Sequence, residues 1–210
     1  MRFAREGYTY MALAVALALL ALTSASWWVA VPLVVFAALV VNFFRDPERV
    51  VPGGDHLVTS PADGKVVAVT DVIREERFLQ RSCRRVSIFM SPLNVHVNRI
   101  PVDGTVLAVE HSEGRFHAAF LDKASELNER NAVAVEDPRG ERFLFVQIAG
   151  QLARRIVCLI APGDRVRRGE RYGMIMFGSR LDLYVPEVVK LHVTIGEHVK
   201  AGETIIGSYP

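Results

Sequence analysis

The chain divides at its hydrophobic pattern. From Gly7 to Phe44, 38 consecutive residues carry no Asp, Glu, Lys, Arg or His. A break of small residues, Thr23-Ser24-Ala25-Ser26, splits this stretch into two apolar runs, Tyr8 to Leu22 and Trp27 to Phe44. One bilayer-spanning helix takes about 20 residues, so the pattern predicts two short helices, 8–22 and 27–44, joined by a tight turn. Arg2 and Arg5 precede the first and Arg45 and Arg49 follow the second. Basic residues concentrate on the cytoplasmic side of a membrane, which predicts a hairpin with both termini in the cytoplasm and Trp27-Trp28 at the far interface. A re-entrant hairpin that dips into one leaflet fits nearly as well. A cleaved secretory signal ending near Ser24-Ala25-Ser26 is the alternative.

Past the turn at Pro52-Gly53-Gly54 the pattern changes to short β-branched runs between glycine turns. These predict strands at 65–70, 85–90, 105–109, 132–136, 142–148, 156–160, 172–177 and 190–195, with short helices at Ile73–Gln80 and around Leu121–Asn128. The expected organisation is a membrane segment, 1–50, followed by one mainly β (α+β) domain, 51–210. Two units repeat. Pro61-Ala62-Asp63-Gly64-Lys65-Val66-Val67-Ala68-Val69 matches Pro101-Val102-Asp103-Gly104-Thr105-Val106-Leu107-Ala108-Val109, and the segment 163–170 (GDRVRRGE) resembles 196–203 (GEHVKAGE). The repetition predicts two similar halves packed as a lipoyl- or phosphocarrier-like duplicated β-sandwich or barrel.

Composition narrows the function classes. With 25 basic and 23 acidic residues among 210, the net charge is +2, which excludes a polybasic nucleic-acid binder and a disordered acidic chain. Cys83 and Cys158 make neither a disulfide framework nor a ligand cluster. Histidines other than His96 are scattered without ligand spacing, so no metal is expected. No glycine-rich phosphate loop or dinucleotide fingerprint occurs.

Four segments could carry chemistry. Gly178-Ser179 follows an apolar run that would hold a hydroxyl at a strand end, although most such pairs are plain turns. His96 lies in a loop bracketed by Ser91-Pro92 and Ile100-Pro101, and an imidazole suits acid–base work near neutral pH; a hydrogen-bonded structural histidine is the bland reading. Asp63, in Ser60-Pro61-Ala62-Asp63-Gly64, could orient an imidazole, but Asp-Gly is also an ordinary turn pair with a near-copy at Asp103-Gly104. The polar stretch from Asp122 to Asn131 reads by itself as a solvated helix end and loop.

Taken in order, Ser-Pro-Ala-Asp-Gly (60–64), Met-Ser-Pro-Leu-Asn-Val-His-Val-Asn-Arg (90–99), Lys-Ala-Ser-x-x-Asn-Glu-Arg-Asn (123–131) and Phe-Gly-Ser-Arg (177–180) resemble the short bacterial and archaeal form of the phosphatidylserine decarboxylase proenzymes, over nearly the whole chain. The resemblance implies self-cleavage between Gly178 and Ser179 into a β chain, 1–178, and an α chain, 179–210, whose first residue becomes a pyruvoyl cofactor. It implies that Ser179, His96 and Asp63 act together, and it suggests Arg99, Asn98, Asn128 and Arg130 as substrate-binding groups. Longer members carry two histidines in the loop; here the second position is Arg99, so either His96 would serve both self-cleavage and decarboxylation or another group would help. The implied partners are phosphatidylserine in an anionic membrane and the two chains of one precursor, with a homo-oligomer allowed. The implied location is the inner membrane with the β domain facing the cytoplasm. The competing readings are a membrane-tethered lipoyl- or phosphocarrier-like module without catalysis and a purely structural β domain.

Overall fold

The computed structural model describes residues 2–24, 26–114, 128–150, 155–176 and 179–210. The chain forms two compact units, Met1–Glu48 and Arg49–Pro210.

The first unit contains β1 (Arg2–Phe3), α1 (Tyr8–Ser24), α2 (Trp27–Phe43) and β2 (Arg45–Asp46). β1 pairs antiparallel with β2, Arg2 opposite Asp46, and closes the base of a helical hairpin. Ala14, Ala18 and Ala21 of α1 and Ala30, Ala37 and Val40 of α2 are buried; such small residues let helix backbones approach closely in an apolar medium. Gly7 is required at the base, since a Cβ there would fall 2.2 Å from Phe44 Cγ. Leu13, Leu20, Trp27, Trp28 and Phe36 are exposed. An apolar exterior around a small-residue seam suits hydrocarbon rather than water. The helical segment Arg5–Ser24 is long and apolar enough to cross a bilayer, while α2, with 17 residues, sits at the short limit of about 17.

The second unit comprises β3 (Leu57–Thr59), β4 (Gly64–Glu75), β5 (Arg81–Met90), β6 (Val97–Arg99), β7 (Gly104–Ser112), β8 (Arg130–Glu136), β9 (Arg142–Ala149), β10 (Ile156–Cys158), β11 (Arg165–Val166), β12 (Arg171–Ile175), β13 (Ser179–Pro186), β14 (Lys190–Leu191), β15 (His198–Val199) and β16 (Ile205–Ser208). The domain is mainly β, as expected. Eight strands form one antiparallel, curled sheet in the order β11-β7-β8-β9-β13-β5-β4-β15, flanked by β10-β12-β6 and β14-β16-β3. Alternation along each strand sends Val66, Ile88, Val133, Phe143, Phe145, Leu181 and Leu183 into the main core. Cys83, Ala132, Leu144, Val146 and Ile148 form a smaller cluster on the opposite face.

The sequence repeats become a pseudo-two-fold arrangement. β11 pairs with β7, Val166 opposite Gly104, and β15 pairs with β4, Val199 opposite Gly64. The Asp103 carboxylate accepts the Arg168 amide at 2.7 Å and the Asp63 carboxylate accepts the Ala201 amide at 2.8 Å. The two halves lock reciprocally: the Thr59 amide donates to the Pro101 carbonyl at 3.0 Å and the Arg99 amide to the Pro61 carbonyl at 2.9 Å. The same bulge recurs, at Val67 in β4 and Leu107 in β7, and such bulges bend a strand and increase its twist.

Two expectations need correction. The segment Ile73–Gln80 is not a helix: β4 runs through Glu75, with Ile73 opposite Cys83 and Glu75 opposite Arg81. Cross-strand pairing absorbs the segment, and the Glu75 carboxylate accepts the Phe78 and Leu79 amides at 2.8 and 2.6 Å, capping a tight hairpin turn. The expected strand at 190–195 is confined to Lys190–Leu191. The helix expected at Leu121–Asn128 lies outside the described residues except for Asn128, which makes an isolated bridge.

Gly64 and Gly104 open β4 and β7 where the neighbouring strand passes close. A Cβ would fall 2.2 Å from the Phe89 carbonyl oxygen at Gly64 and 2.3 Å from that of Glu136 at Gly104. Because the obstacle is backbone, Gly64→Ala and Gly104→Ala are each expected to cost about 3 kcal/mol of stability, read as a lowered unfolding midpoint of the detergent-solubilised chain.

Candidate active site

β13 is an interior strand of the sheet, hydrogen-bonded to β5 on one side and β9 on the other. Its first residue is Ser179, opposite Met90 of β5 and Ala149 of β9, with no exposed surface. The Ser179 hydroxyl donates to Met90 Sδ at 3.4 Å. Phe177 and Gly178, which precede it, lie outside the described residues.

Buried polar side chains converge on the same sulfur. Asn98 of β6, fully buried, directs its Nδ2 to Met90 Sδ at 3.7 Å. Its Oδ1 accepts from Gln147 Nε2 at 2.9 Å, and Gln147 Oε1 accepts from Asn131 Nδ2 at 3.0 Å. Asn131 and Gln147 occupy positions of β8 and β9 whose parity is otherwise apolar, shared with Val133 and with Phe143 and Phe145. Gly173 on β12 makes room: a Cβ there would lie 2.1 Å from the Val157 carbonyl oxygen and 3.1 Å from Gln147 Nε2.

His96 is also fully buried. The Ile175 amide donates to its carbonyl at 3.3 Å, which ties the His96 backbone to the strand leading toward Gly178-Ser179. Its Nδ1 lies 3.0 Å from the Asn94 carbonyl oxygen. A carbonyl only accepts, so Nδ1 carries the proton in this contact and Nε2 of the neutral ring is the basic nitrogen. The loop itself is braced by Asn94, whose Oδ1 accepts the Ser91 amide and hydroxyl at 2.9 and 2.7 Å.

The other expected residues are distributed differently. Asn128 Nδ2 donates at 2.6 Å to the carbonyl of Ala149, the residue opposite Ser179 on β9. Asp63 pairs with Arg49, whose Nη2 lies 2.9 and 2.8 Å from its two oxygens, and accepts the Ala201 amide. His96 is not among the described contacts of Asp63. Arg99 Nη1 donates to the Gly169 carbonyl at 2.9 Å, so its described side-chain contact lies in the repeat turns. Arg130 lines a cavity on the opposite face of the sheet with Asp182 and Tyr184. Burial, followed by the Asp182 charge, raises the pKa of Tyr184.

Sequence inspection missed several groups. Arg180 and Asp182 form a bidentate ion pair at 2.6 and 2.8 Å with essentially no exposed surface. The i, i+2 spacing of opposite charges in an otherwise apolar run was the available signal, and the same charges disguised the central strand. Gln147 was legible only as a polar residue at apolar parity, and Asn131 also as the last residue of the 123–131 motif. Met90 heads the 90–99 motif, but nothing in the sequence marked its sulfur as a contact of Ser179.

A predominantly β domain with a fully buried serine at the start of its central strand, a buried histidine whose backbone is bonded to Ile175, and an apolar helical hairpin earlier in the chain define the class. The chain belongs to the phosphatidylserine decarboxylase family, whose family model matches residues 36–207. It is 50% identical over 182 residues to the phosphatidylserine decarboxylase proenzyme of Syntrophus aciditrophicus (strain SB), covering 87% of this chain and 85% of that protein. It is 45% identical over 207 residues to the proenzyme of Aromatoleum aromaticum, covering 99% and 95%. The Cupriavidus taiwanensis proenzyme is 45% identical over 204 residues, covering 97% and 94%.

Arg180→Met is expected to cost about 3–5 kcal/mol, because it deprives the buried Asp182 carboxylate of its bidentate partner. The double variant Arg180→Met, Asp182→Leu is expected to regain most of that loss. Denaturant unfolding of the three chains checks both statements.

Proposed function

We propose that this chain is a self-processing decarboxylase that converts phosphatidylserine to phosphatidylethanolamine. The observation that carries the reading is the fully buried Ser179 hydroxyl, at the first position of the central strand and directly after Gly178. Family membership supplies the reaction class.

In self-cleavage His96 Nε2 accepts the Ser179 proton while Oγ attacks the Gly178 carbonyl carbon. The C–N bond then breaks, the Ser179 nitrogen takes a proton, and an ester links Gly178 to Oγ. Loss of the Ser179 α-proton expels the Gly178 carboxylate and leaves dehydroalanine, which water converts to a ketone with release of ammonia. The residues present fit such a group: Ser179 is fully buried, and the Asn98 amide directs a hydrogen-bond donor to the same Met90 sulfur that its hydroxyl meets. A pyruvoyl carbonyl supplies an electron sink for the carbanion left as carbon dioxide departs. His96 serves again as the proton donor to the product carbon. Arg99 is the proposed positive charge for the phosphate or carboxylate of the headgroup, a role in which its guanidinium leaves the Gly169 carbonyl. Asp63 acts with Arg49 on the turn that follows β15, in the manner of Asp103 in the other half.

The hairpin fits the substrate. A lipid with two acyl chains stays in the bilayer, so a tethered domain searches only the membrane surface, and the basic flanks of the apolar segment favour the cytoplasmic leaflet of the inner membrane.

Intact mass and denaturing electrophoresis are expected to resolve chains 1–178 and 179–210, the shorter one blocked to Edman sequencing. Ser179→Ala is expected to give one chain with no decarboxylation. A single full-length chain that stays intact on prolonged incubation refutes self-processing. His96→Ala is expected to slow both chain splitting and turnover by about a hundredfold or more; normal rates in both remove His96 from the site.

A further inference from the structure

The orientation of the Asn98 carboxamide is settled by a chain of donors and acceptors. Gln147 Nε2 lies 3.5 Å from the Val157 carbonyl oxygen as well as 2.9 Å from Asn98. A backbone carbonyl accepts only, so that end of Gln147 is the NH₂ group, and the opposite end is the oxygen that accepts from Asn131. Asn98 must therefore turn Oδ1 toward Gln147, and its Nδ2 is left aimed at Met90 Sδ, the atom that also receives the Ser179 hydroxyl. A thioether is a weak acceptor, so a developing negative charge nearby would draw the Asn98 N–H away from it at little cost. Three neutral amides, each at most 2% exposed, are an expensive way to fill an apolar sheet face unless they position something.

We propose that the Asn98 carboxamide, aimed by Gln147 and Asn131, donates the hydrogen bond that stabilises the oxyanion formed when Ser179 Oγ attacks the Gly178 carbonyl. In that step the Oγ–C bond forms and the carbonyl π pair moves onto oxygen. The N–H of Asn98 meets that charge inside a water-excluded site, where a prearranged donor acts most strongly. Collapse of the tetrahedral species breaks the C–N bond and releases the donor. Asn98 is thus a catalytic residue of self-cleavage, and Gln147 and Asn131 are positioning residues. The inference rests on the self-processing reading above.

The test follows chain splitting of full-length protein made by cell-free synthesis in detergent, with and without hydroxylamine, which cuts the ester and so reports the first step alone. Asn98→Asp keeps the shape and replaces the donor with an acceptor; splitting is expected to slow about a hundredfold, with hydroxylamine and without it, in chains shown by circular dichroism to be folded at the assay temperature. Gln147→Glu provides a second readout. A protonated carboxyl can still donate to Asn98 Oδ1 and a carboxylate cannot, so its splitting rate relative to the parent chain is expected to fall as pH rises. An Asn98→Asp chain that splits within threefold of the parent, or a Gln147→Glu ratio that does not vary with pH, overturns the proposal. A parent chain that never splits between Gly178 and Ser179 refutes the self-processing reading instead and takes this inference with it.

Discussion

Buried polar groups must find partners inside the protein, and this requirement organises the end of the sheet where Ser179 lies. β13 is walled in by β5 and β9, so Ser179, Arg180 and Asp182 have no access to bulk water. An unpaired amide or carboxylate in such a place costs several kcal/mol. Arg180 and Asp182 answer by pairing with each other on one face. On the other face Asn131, Gln147 and Asn98 pass a hydrogen bond from strand to strand until it reaches the Met90 sulfur beside Ser179. Strand alternation keeps the two arrangements apart, charges on one side of β13 and the hydroxyl with its neutral amides on the other.

The duplicated architecture clarifies which acidic residues hold turns. Asp63 and Asp103 occupy matching places in the two halves and accept matching backbone amides. Their remaining contacts differ. Asp63 takes Arg49, which also reaches Glu203 at 3.5 Å. In the other half, the Arg168 guanidinium binds the Pro52, Gly54 and Leu57 carbonyls. Both halves therefore tie the incoming segment 49–57 to the β domain, one through an ion pair and the other through backbone carbonyls. The two Asp-Gly pairs share a turn contact, and at the same offset of 40 positions His96 matches His56, whereas Asn98 stands where the other half has Val58.

The elements legible from sequence were those whose pattern is local. The charge-free run marked the helical hairpin because uninterrupted apolarity over that length has few other uses, and β-branched alternation marked most strands. The repeats were visible as turn residues at fixed offsets. Ile73–Gln80 misled because Ile73 and the charged residues after it resemble a short amphipathic helix, while the partner that makes Ile73 to Glu75 a strand, Arg81 to Cys83, competes only once the hairpin closes. β13 was hidden because Arg180 and Asp182 look like surface charges until one sees that they neutralise each other.

What the sequence determined by itself was the inventory: a membrane-suited hairpin, a β domain with an internal repeat, a Gly-Ser bond and a histidine loop, all set by local composition and spacing. Only the tertiary structure decided the company each residue keeps. It paired Asp63 with Arg49, drew Asn98, Gln147 and Asn131 into one line across three strands, and set Ser179 against Met90. Those partners lie between 14 and 89 positions apart in the chain, and hydrogen-bond satisfaction across folded strands leaves no periodic trace in a linear sequence.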